Sequence, residues 1–424
     1  MFTNTYLPHV GGVARSVSTY ENEFRRRGHD VRIIAPEFQG AEESTAYVLR
    51  VPAIQNFNGS DFSVRIPLPG LISDYLDEFQ PDIIHSHHPF LLGDSALRAA
   101  WERRLPLVFT HHTLYEKYTH YVPLDSVAMQ LVAIQMATEY CNLCTCVIAP
   151  SESIAALLVR RQVTRPIRAI PTGIDLDHFG GGDGKSLRQR LNIASDALVI
   201  GHVGRLAGEK NLDYLARCVG RFLSEHPDAY WLVVGAGDSA ASIQQIVGRI
   251  ADPQQLIMTG CLTGQELVNA YTAMDLFVFS SQSETQGMVL VEAMAASTPV
   301  IALDGPGVRD VLNDVNGRML AGNADEMTFV EVIKVMVGDR AGLARRGELA
   351  RESVRDFGLD VCADRILELY EQLIDENVKT GGSEASPWDR LLNRLEIEWN
   401  LLVEKTTALA AAVVETEATR SHLD

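Results

Sequence analysis

The sequence predicts an α/β protein built from two doubly wound, Rossmann-like domains facing each other across a cleft, followed by C-terminal helices. At 424 residues the chain is longer than one hydrophobic core usually supports. Short apolar runs alternate with stretches of helical spacing in two successive series, the pattern of βαβ units and parallel sheets. Between the series lies "IRAIPTGIDLDHFGGGDG", a passage rich in Pro and Gly. The expected divisions are 1–175, 176–358, a helix over 359–376 that is a candidate to cross back to the first domain, and 377–424 as linker and helical tail.

Taken in order, the chain begins at "FTNTYLP", with Phe2 already inside the expected first strand. That strand is therefore expected to be clipped, or to have further residues before it. "PHVGGVARSV" puts Gly11 and Gly12 in a turn that opens a helix, where bare backbone can approach a phosphate; a purely conformational purpose fits equally well. Four strands then read out as "HDVRIIAP", "PDIIHSHHP", "LPLVFTHH" and "CTCVIAPS", each followed by helical spacing. The second series is "ALVIGHVG", "YWLVVGAG", "LIMTG", "LFVFSS" and "PVIAL". Helical pattern returns at Leu359 to Glu376. After the breaker "TGGSEASP" it resumes from Trp388 to about Val414, where the apolar stripe and acidic face suggest a tail helix docking on its own chain or a partner, a candidate for self-association.

Net charge is −18, with 15 Lys/Arg against 19 Asp/Glu before residue 181, so −4 falls there and −14 in the remainder. A general basic field for nucleic acid is excluded on that balance. Arginine clusters at 25–27, 103–104 and 160, 161, 165 and 168 leave peripheral contact with an anionic membrane open. Nine of the twelve histidines precede residue 181, which points imidazole chemistry to the first half. "CNLCTC" lacks the second Cys or His pair of a metal knuckle, so Cys141, Cys144 and Cys146 are expected to be reduced, buried thiols in a cytosolic protein. No signal peptide is apparent, nor a run of about 18 apolar residues.

Ligands of open parallel sheets bind beyond the carboxyl ends of the strands. "GRLAGEKN" places Arg205 and Lys210 there, two cations suited to a diphosphate or, equally by spacing, to a solvated surface. In "SETQGMVLVEAMA" a helix from Met288 to Ala296 opens after Gly287, with its first amides and positive dipole end unpaired. Ser283 with Gln286 fits a capping box, which accounts for Glu284. It leaves Glu292, inside an apolar helix, needing a hydrogen-bonding ligand or a buried cation.

Together the Gly-Gly loop, "GRLAGEKN" and the E-x7-E segment resemble the retaining, nucleotide-sugar-dependent glycosyltransferases of family four, with the GT-B fold, over most of residues 1–375. "DIIHSHHPFLLG", "APSE" and "IPTGID" match as well. "THHTLYEKYTHYVP" and "SETQG" are most similar to the subgroup of diacylglycerol and related lipid α-glucosyltransferases. The resemblance implies that Arg205 and Lys210 hold the donor diphosphate and neutralise the leaving group. Glu292 would accept from the ribose hydroxyls and Glu284 from those of the transferred sugar. The amides of Gly287, Met288 and Val289 would lie nearby, and Gly11 and Gly12 would approach the phosphates. His112 would sit beside sugar and acceptor, with His111 as competitor and a packing histidine as the plain reading of either.

The implied reaction moves a hexose, with UDP-glucose the commonest donor of the subgroup, to an acceptor hydroxyl of a small molecule or a lipid such as diacylglycerol. No cofactor is expected and no metal required, since no D-x-D pair stands at a strand end and "DLD" at Asp175 to Asp177 lies in the junction. The setting would be the cytoplasm, with the inner face of the membrane as a peripheral station. A nucleotide-sugar 2-epimerase and a catalytically silent sugar-nucleotide-binding subunit share the architecture and are the rival readings.

Overall fold

A computed structural model describes residues 1–9, 11–38, 45–54, 64–65, 70–117 and 127–379. The tail helix expected over 388–414 lies outside the described residues, as do Val10 and the "YTHYVP" portion of its motif. The chain divides into two compact units: Met1–Pro171 with residues from Ala363 onward, and Thr172–Cys362. The helix Leu359–Lys379 therefore starts in the second unit and continues in the first.

In the first unit, α1 (Gly12–Arg26) is followed by β1 (Ile33–Pro36), β2 (Val48–Val51) and the antiparallel pair β3 (Ala53–Ile54) and β4 (Val64–Arg65). Next come α2 (Leu71–Phe79), β5 (Ile84–Ser86), α3 (Leu92–Arg103), β6 (Leu107–Thr110), α4 (Val127–Leu143), β7 (Cys146–Ala149), α5 (Glu152–Arg160) and β8 (Ile167–Ala169). Strands β5 to β8 pair in sequence, all parallel, and β1 pairs in parallel with β2. The two groups meet on the first three residues of the chain. Phe2 bridges in parallel to Ile34 of β1 and to Ser86 of β5, donating to His85 O at 2.8 Å and accepting from His87 N at 2.9 Å. The pairing of this first segment is carried by one bridging residue, which sits between β1 and β5.

Helix α1 forms because Ala14, Val17, Tyr20 and Phe24 recur at three- and four-residue steps and bury one face. Its buried Glu21 and Glu23 are met by Arg25, and by Arg26 and Arg27, respectively. Arg103 pairs with Asp77, and Arg161 with Glu116. The arginine clusters of the first unit are therefore in large part neutralised internally, which weakens the field they would offer a membrane. Cys141, Cys144 and Cys146 are buried thiols.

The second unit runs α6 (Leu176–Gly180), α7 (Gly184–Arg190), β9 (Leu198–Val203), α8 (Leu212–Glu225), β10 (Ala229–Val234), α9 (Ala240–Ile250) and β11 (Leu256–Gly260). It continues with α10 (Gly264–Thr272), β12 (Leu276–Phe279), α11 (Met288–Ala295), β13 (Val300–Leu303), β14 (Gly317–Leu320), α12 (Glu326–Gly338), α13 (Arg340–Ser353) and the start of α14 (Leu359–Lys379). Its six parallel strands lie in the order β11-β10-β9-β12-β13-β14. Helices cover both faces, so alternate residues of β9 enter different cores: Val199 packs with Phe277, Phe279 and Leu290, and Ile200 with Phe222, Trp231 and Val278. The chain leaves β9 toward β10 on one side and returns to β12 on the other. That reversal of strand order opens a crevice at the carboxyl ends of β9 and β12.

No helix among the described residues is long and apolar enough to cross a membrane.

Candidate active site

The residues beyond β9 and β12 meet at this switch point. After β9 the chain turns through Gly204, Arg205 and a short 3-10 turn, Gly208–Lys210, before α8. After β12 it runs through Ser280 to Gly287 before α11. Ser280 Oγ donates to the carbonyls of Lys210 and Asn211 at 2.9 and 3.0 Å, and Ser283 Oγ to that of Glu209 at 3.4 Å. Serine hydroxyls thereby stitch one loop to the other. Close approach of a third loop is allowed by Gly235, where a Cβ would stand 1.9 Å from Gly204 O.

Lys210 and Glu284 come together: Nζ donates to Glu284 Oε1 at 2.5 Å, and only 14% and 19% of their side-chain surfaces are exposed. Ser281 Oγ donates to the same oxygen at 3.1 Å. Burial alone would push the Glu284 carboxyl up. The Lys210 charge and the hydrogen bonds from Lys210 and Ser281 outweigh it, holding the group below its ordinary value and ionised at neutral pH. Arg205 pairs with Glu209 and leaves 43% of its side chain exposed. Each cation expected at a diphosphate thus carries a carboxylate partner. A guanidinium has five donors, so pairing with Glu209 leaves Arg205 able to take an anion as well.

The capping box expected from Ser283 and Gln286 is not formed. Helix α11 begins a turn later, at Met288, with Gly287 as its cap in the left-handed region at φ 73. Gln286 instead turns to the backbone of Thr172, accepting from its N and donating to its O, both at 2.7 Å. Glycine at 287 lets the chain reverse so that the first amides of the helix, on Met288 and Val289, lie at the strand ends.

Glu292 is 1% exposed, and its Oε2 accepts from the Tyr271 hydroxyl at 2.7 Å. Part of the demand expected of this buried carboxylate is therefore met within the protein, by a phenol from α10 on one of its two oxygens. Asp175 of "DLD" accepts from His178 N at 2.9 Å and caps α6.

The remaining predicted residues lie in the first unit. Gly11 caps α1 with an extended backbone, φ −164, and a Cβ at Gly12 would meet nothing within 4 Å. A Cβ at Gly11 would crowd the His9 ring, 3.0 Å from its Nε2, so Gly12 is the one of the two whose packing does not call for glycine. His112 follows β6, and its Nε2 lies 2.9 Å from Nδ1 of His87, which follows β5. Burial lowers its pKa to about 3, helped by neighbouring imidazoles. His111 is buried against the rings of Phe109 and Tyr115. His87, Tyr271 and Ser281 were not singled out from sequence. Only His87 had a signal, as part of "HSHH" in the histidine-rich half.

A family model described as Glycosyltransferase Family 4 matches residues 10–178, and one described as Glycosyl transferases group 1 matches residues 183–353. The alpha-monoglucosyldiacylglycerol synthase of Streptococcus pneumoniae is 30% identical over 386 residues, covering 89% of this chain and 86% of that one. A GDP-mannose-dependent alpha-mannosyltransferase of Corynebacterium glutamicum is 30% identical over 384 residues, with 87% of each chain covered. Among solved structures, Anabaena HepE in complex with UDP superimposes with a TM-score of 0.68 at 19% identity, covering 88% of this chain and 98% of that one. Two parallel-sheet units with strand-end loops of this kind, and relatives aligned along nearly the whole length, identify the chain as a GT-B glycosyltransferase of the group 1 and family 4 class.

Proposed function

We propose that the protein transfers a hexose from a nucleotide diphosphate sugar, UDP-glucose before GDP-mannose, to a lipid hydroxyl such as that of diacylglycerol, with retention at the anomeric carbon and without a metal. The observation that carries this reading is the gathering of Arg205, Lys210 and Glu284 on the two loops of the switch point. The lipid acceptor is supported by the name of the pneumococcal relative. The mannosyltransferase is as similar, so the donor is the finer question.

In this reading the bond between the anomeric carbon and the diphosphate oxygen breaks as the acceptor oxygen bonds to the same carbon on the same face. Charge accumulates on the departing diphosphate. Arg205, Lys210 and the amide end of α11 are fixed in advance to receive it, the service a divalent cation gives elsewhere. Glu284, ionised, accepts from sugar hydroxyls and favours the cationic character of the breaking sugar. In this front-face route the proton of the acceptor hydroxyl passes to a phosphate oxygen of the leaving group, which lies on the same face of the sugar as the attacking oxygen, while Glu284 stays ionised beside Lys210. The Gly287, Met288 and Val289 amides and Glu292 bind the nucleotide portion.

The test is a transfer screen of UDP-glucose and GDP-mannose, with and without diacylglycerol vesicles, in the presence of EDTA. Transfer with an α-linked product by NMR is expected, and Lys210→Ala and Arg205→Ala should each reduce turnover roughly 100-fold or more. Normal turnover in both variants, or dependence on added metal, would overturn the assignment. A donor isomerised at C2 when incubated alone would favour an epimerase instead.

A further inference from the structure

Behind His112 the first unit holds a stack of imidazoles that the transfer chemistry above does not use. His87 is 1% exposed, and its backbone is fixed by donation to Phe2 O at 2.9 Å. One ring face lies over His85, with centroids 4.1 Å apart. His85 is itself pinned at both nitrogens, Nε2 by Thr110 Oγ1 at 2.7 Å and Nδ1 by the Tyr370 hydroxyl of α14 at 2.5 Å. On its other side His87 Nδ1 meets His112 Nε2 at 2.9 Å, with the two rings inclined by 25°. From Phe2, Thr110 and Tyr370 outward, each contact fixes the next ring.

We infer that His87 is a positioning residue that donates from Nδ1 to His112 Nε2, holding the His112 ring in one orientation with its own proton on Nδ1. A single hydrogen bond between two neutral imidazoles uses one proton, so only two arrangements exist. If His112 were the donor, the proton of His87 would sit on Nε2, a buried atom with no hydrogen-bond partner among the described residues. An orphaned buried N–H is a rare and costly feature. With His87 donating, Nε2 of His87 carries only a lone pair, and the proton of His112 is fixed on Nδ1. Both rings stay neutral because burial and the neighbouring imidazoles oppose a charge on either. Tyr370 makes helix α14 a distant part of the same support.

The inference rests on the participation of His112 in transfer, and the experiment separates the two. Full-length protein labelled with 15N-histidine is observed at neutral pH, and His112, assigned by its loss in His112→Ala, should show a protonated Nδ1 and a bare Nε2. In His87→Phe, which keeps the ring volume, that signature should give way to a mixture of tautomers. With whichever of UDP-glucose and GDP-mannose supports transfer, kcat of His87→Phe should fall roughly 10- to 100-fold while the donor KM stays within about twofold. His87→Asn, whose amide nitrogen can occupy the place of Nδ1, should restore most of it. A wild-type His112 protonated on Nε2, or an unchanged kcat in His87→Phe beside an inactive His112→Ala, overturns the inference alone. Unchanged turnover in His112→Ala overturns the role of His112 with it. Should His87→Phe fail to fold, the wild-type spectrum and His87→Asn still decide.

Discussion

The pair Tyr271–Glu292 shows how a single residue can be structural, functional or both. A buried carboxylate given a phenol donor at 2.7 Å is stabilised in the free protein, so burial is no argument for a ligand by itself. The two roles separate on substitution. Tyr271→Phe removes a donor from a buried acid and should cost about 1–3 kcal/mol of stability, read from urea unfolding. Glu292→Gln keeps shape and should weaken UDP and GDP about tenfold alike by calorimetry, because both carry the ribose that the glutamate is proposed to hold. Unchanged affinity for both nucleotides beside a destabilised Tyr271→Phe would make Glu292 a structural acid only.

At the scale of elements, α11 depends on one backbone position. Gly287 takes φ +73, and an added Cβ would lie 3.2 Å from Leu290 Cδ1. Gly287→Ala should therefore cost about 1–3 kcal/mol and lower turnover by displacing the helix amides; wild-type stability in urea would show that the loop reshapes freely. Such positions also mark what could be read from sequence. The central strands, from "HDVRIIAP" to "PVIAL", were legible because strands covered on both faces are continuous apolar runs. The edge strand β11 was legible too, as "LIMTG", but other edge and peripheral strands were not: β8 holds Arg168 and β14 holds Arg318, whose charges break the run, and the first strand is too short to show a period. Arg205, Lys210, Glu284 and Gly287 could be singled out because they follow such strands in the sequence. Gln286 was misread for the opposite reason. Its spacing from Ser283 fits a cap, yet its partner Thr172 is 114 residues away, and no local pattern reveals a contact of that range.

For the molecule as a whole, the uneven spread of histidines becomes an uneven response to acid. His85, His87, His88, His111 and His112 are buried in the first unit with pKa values lowered by burial, to about 3 for His88 and His112 and about 4 for His111. The second unit has His202, lowered to about 4 for the same reason. An unfolded histidine takes its proton near pH 6.5, whereas these remain neutral while folded. Their contribution is complete above pH 6.5 and is lost as pH falls from there toward 4, each group removing about 1.4 kcal/mol per pH unit. Glu23, held to about 2 chiefly by Arg26 and Arg27, adds a further loss only below about pH 4.5. The first unit should therefore open ahead of the second between pH 6.5 and 5. Hydrogen exchange followed by mass spectrometry, corrected for the intrinsic pH dependence of exchange, reads each unit through its own peptides. Protection should fall steeply with pH in β5, β6 and β7 and only slightly in β9, β10 and β12. Parallel loss in both sets, or a flat response in the first, would mean that the buried imidazoles find water or protons as readily folded as unfolded.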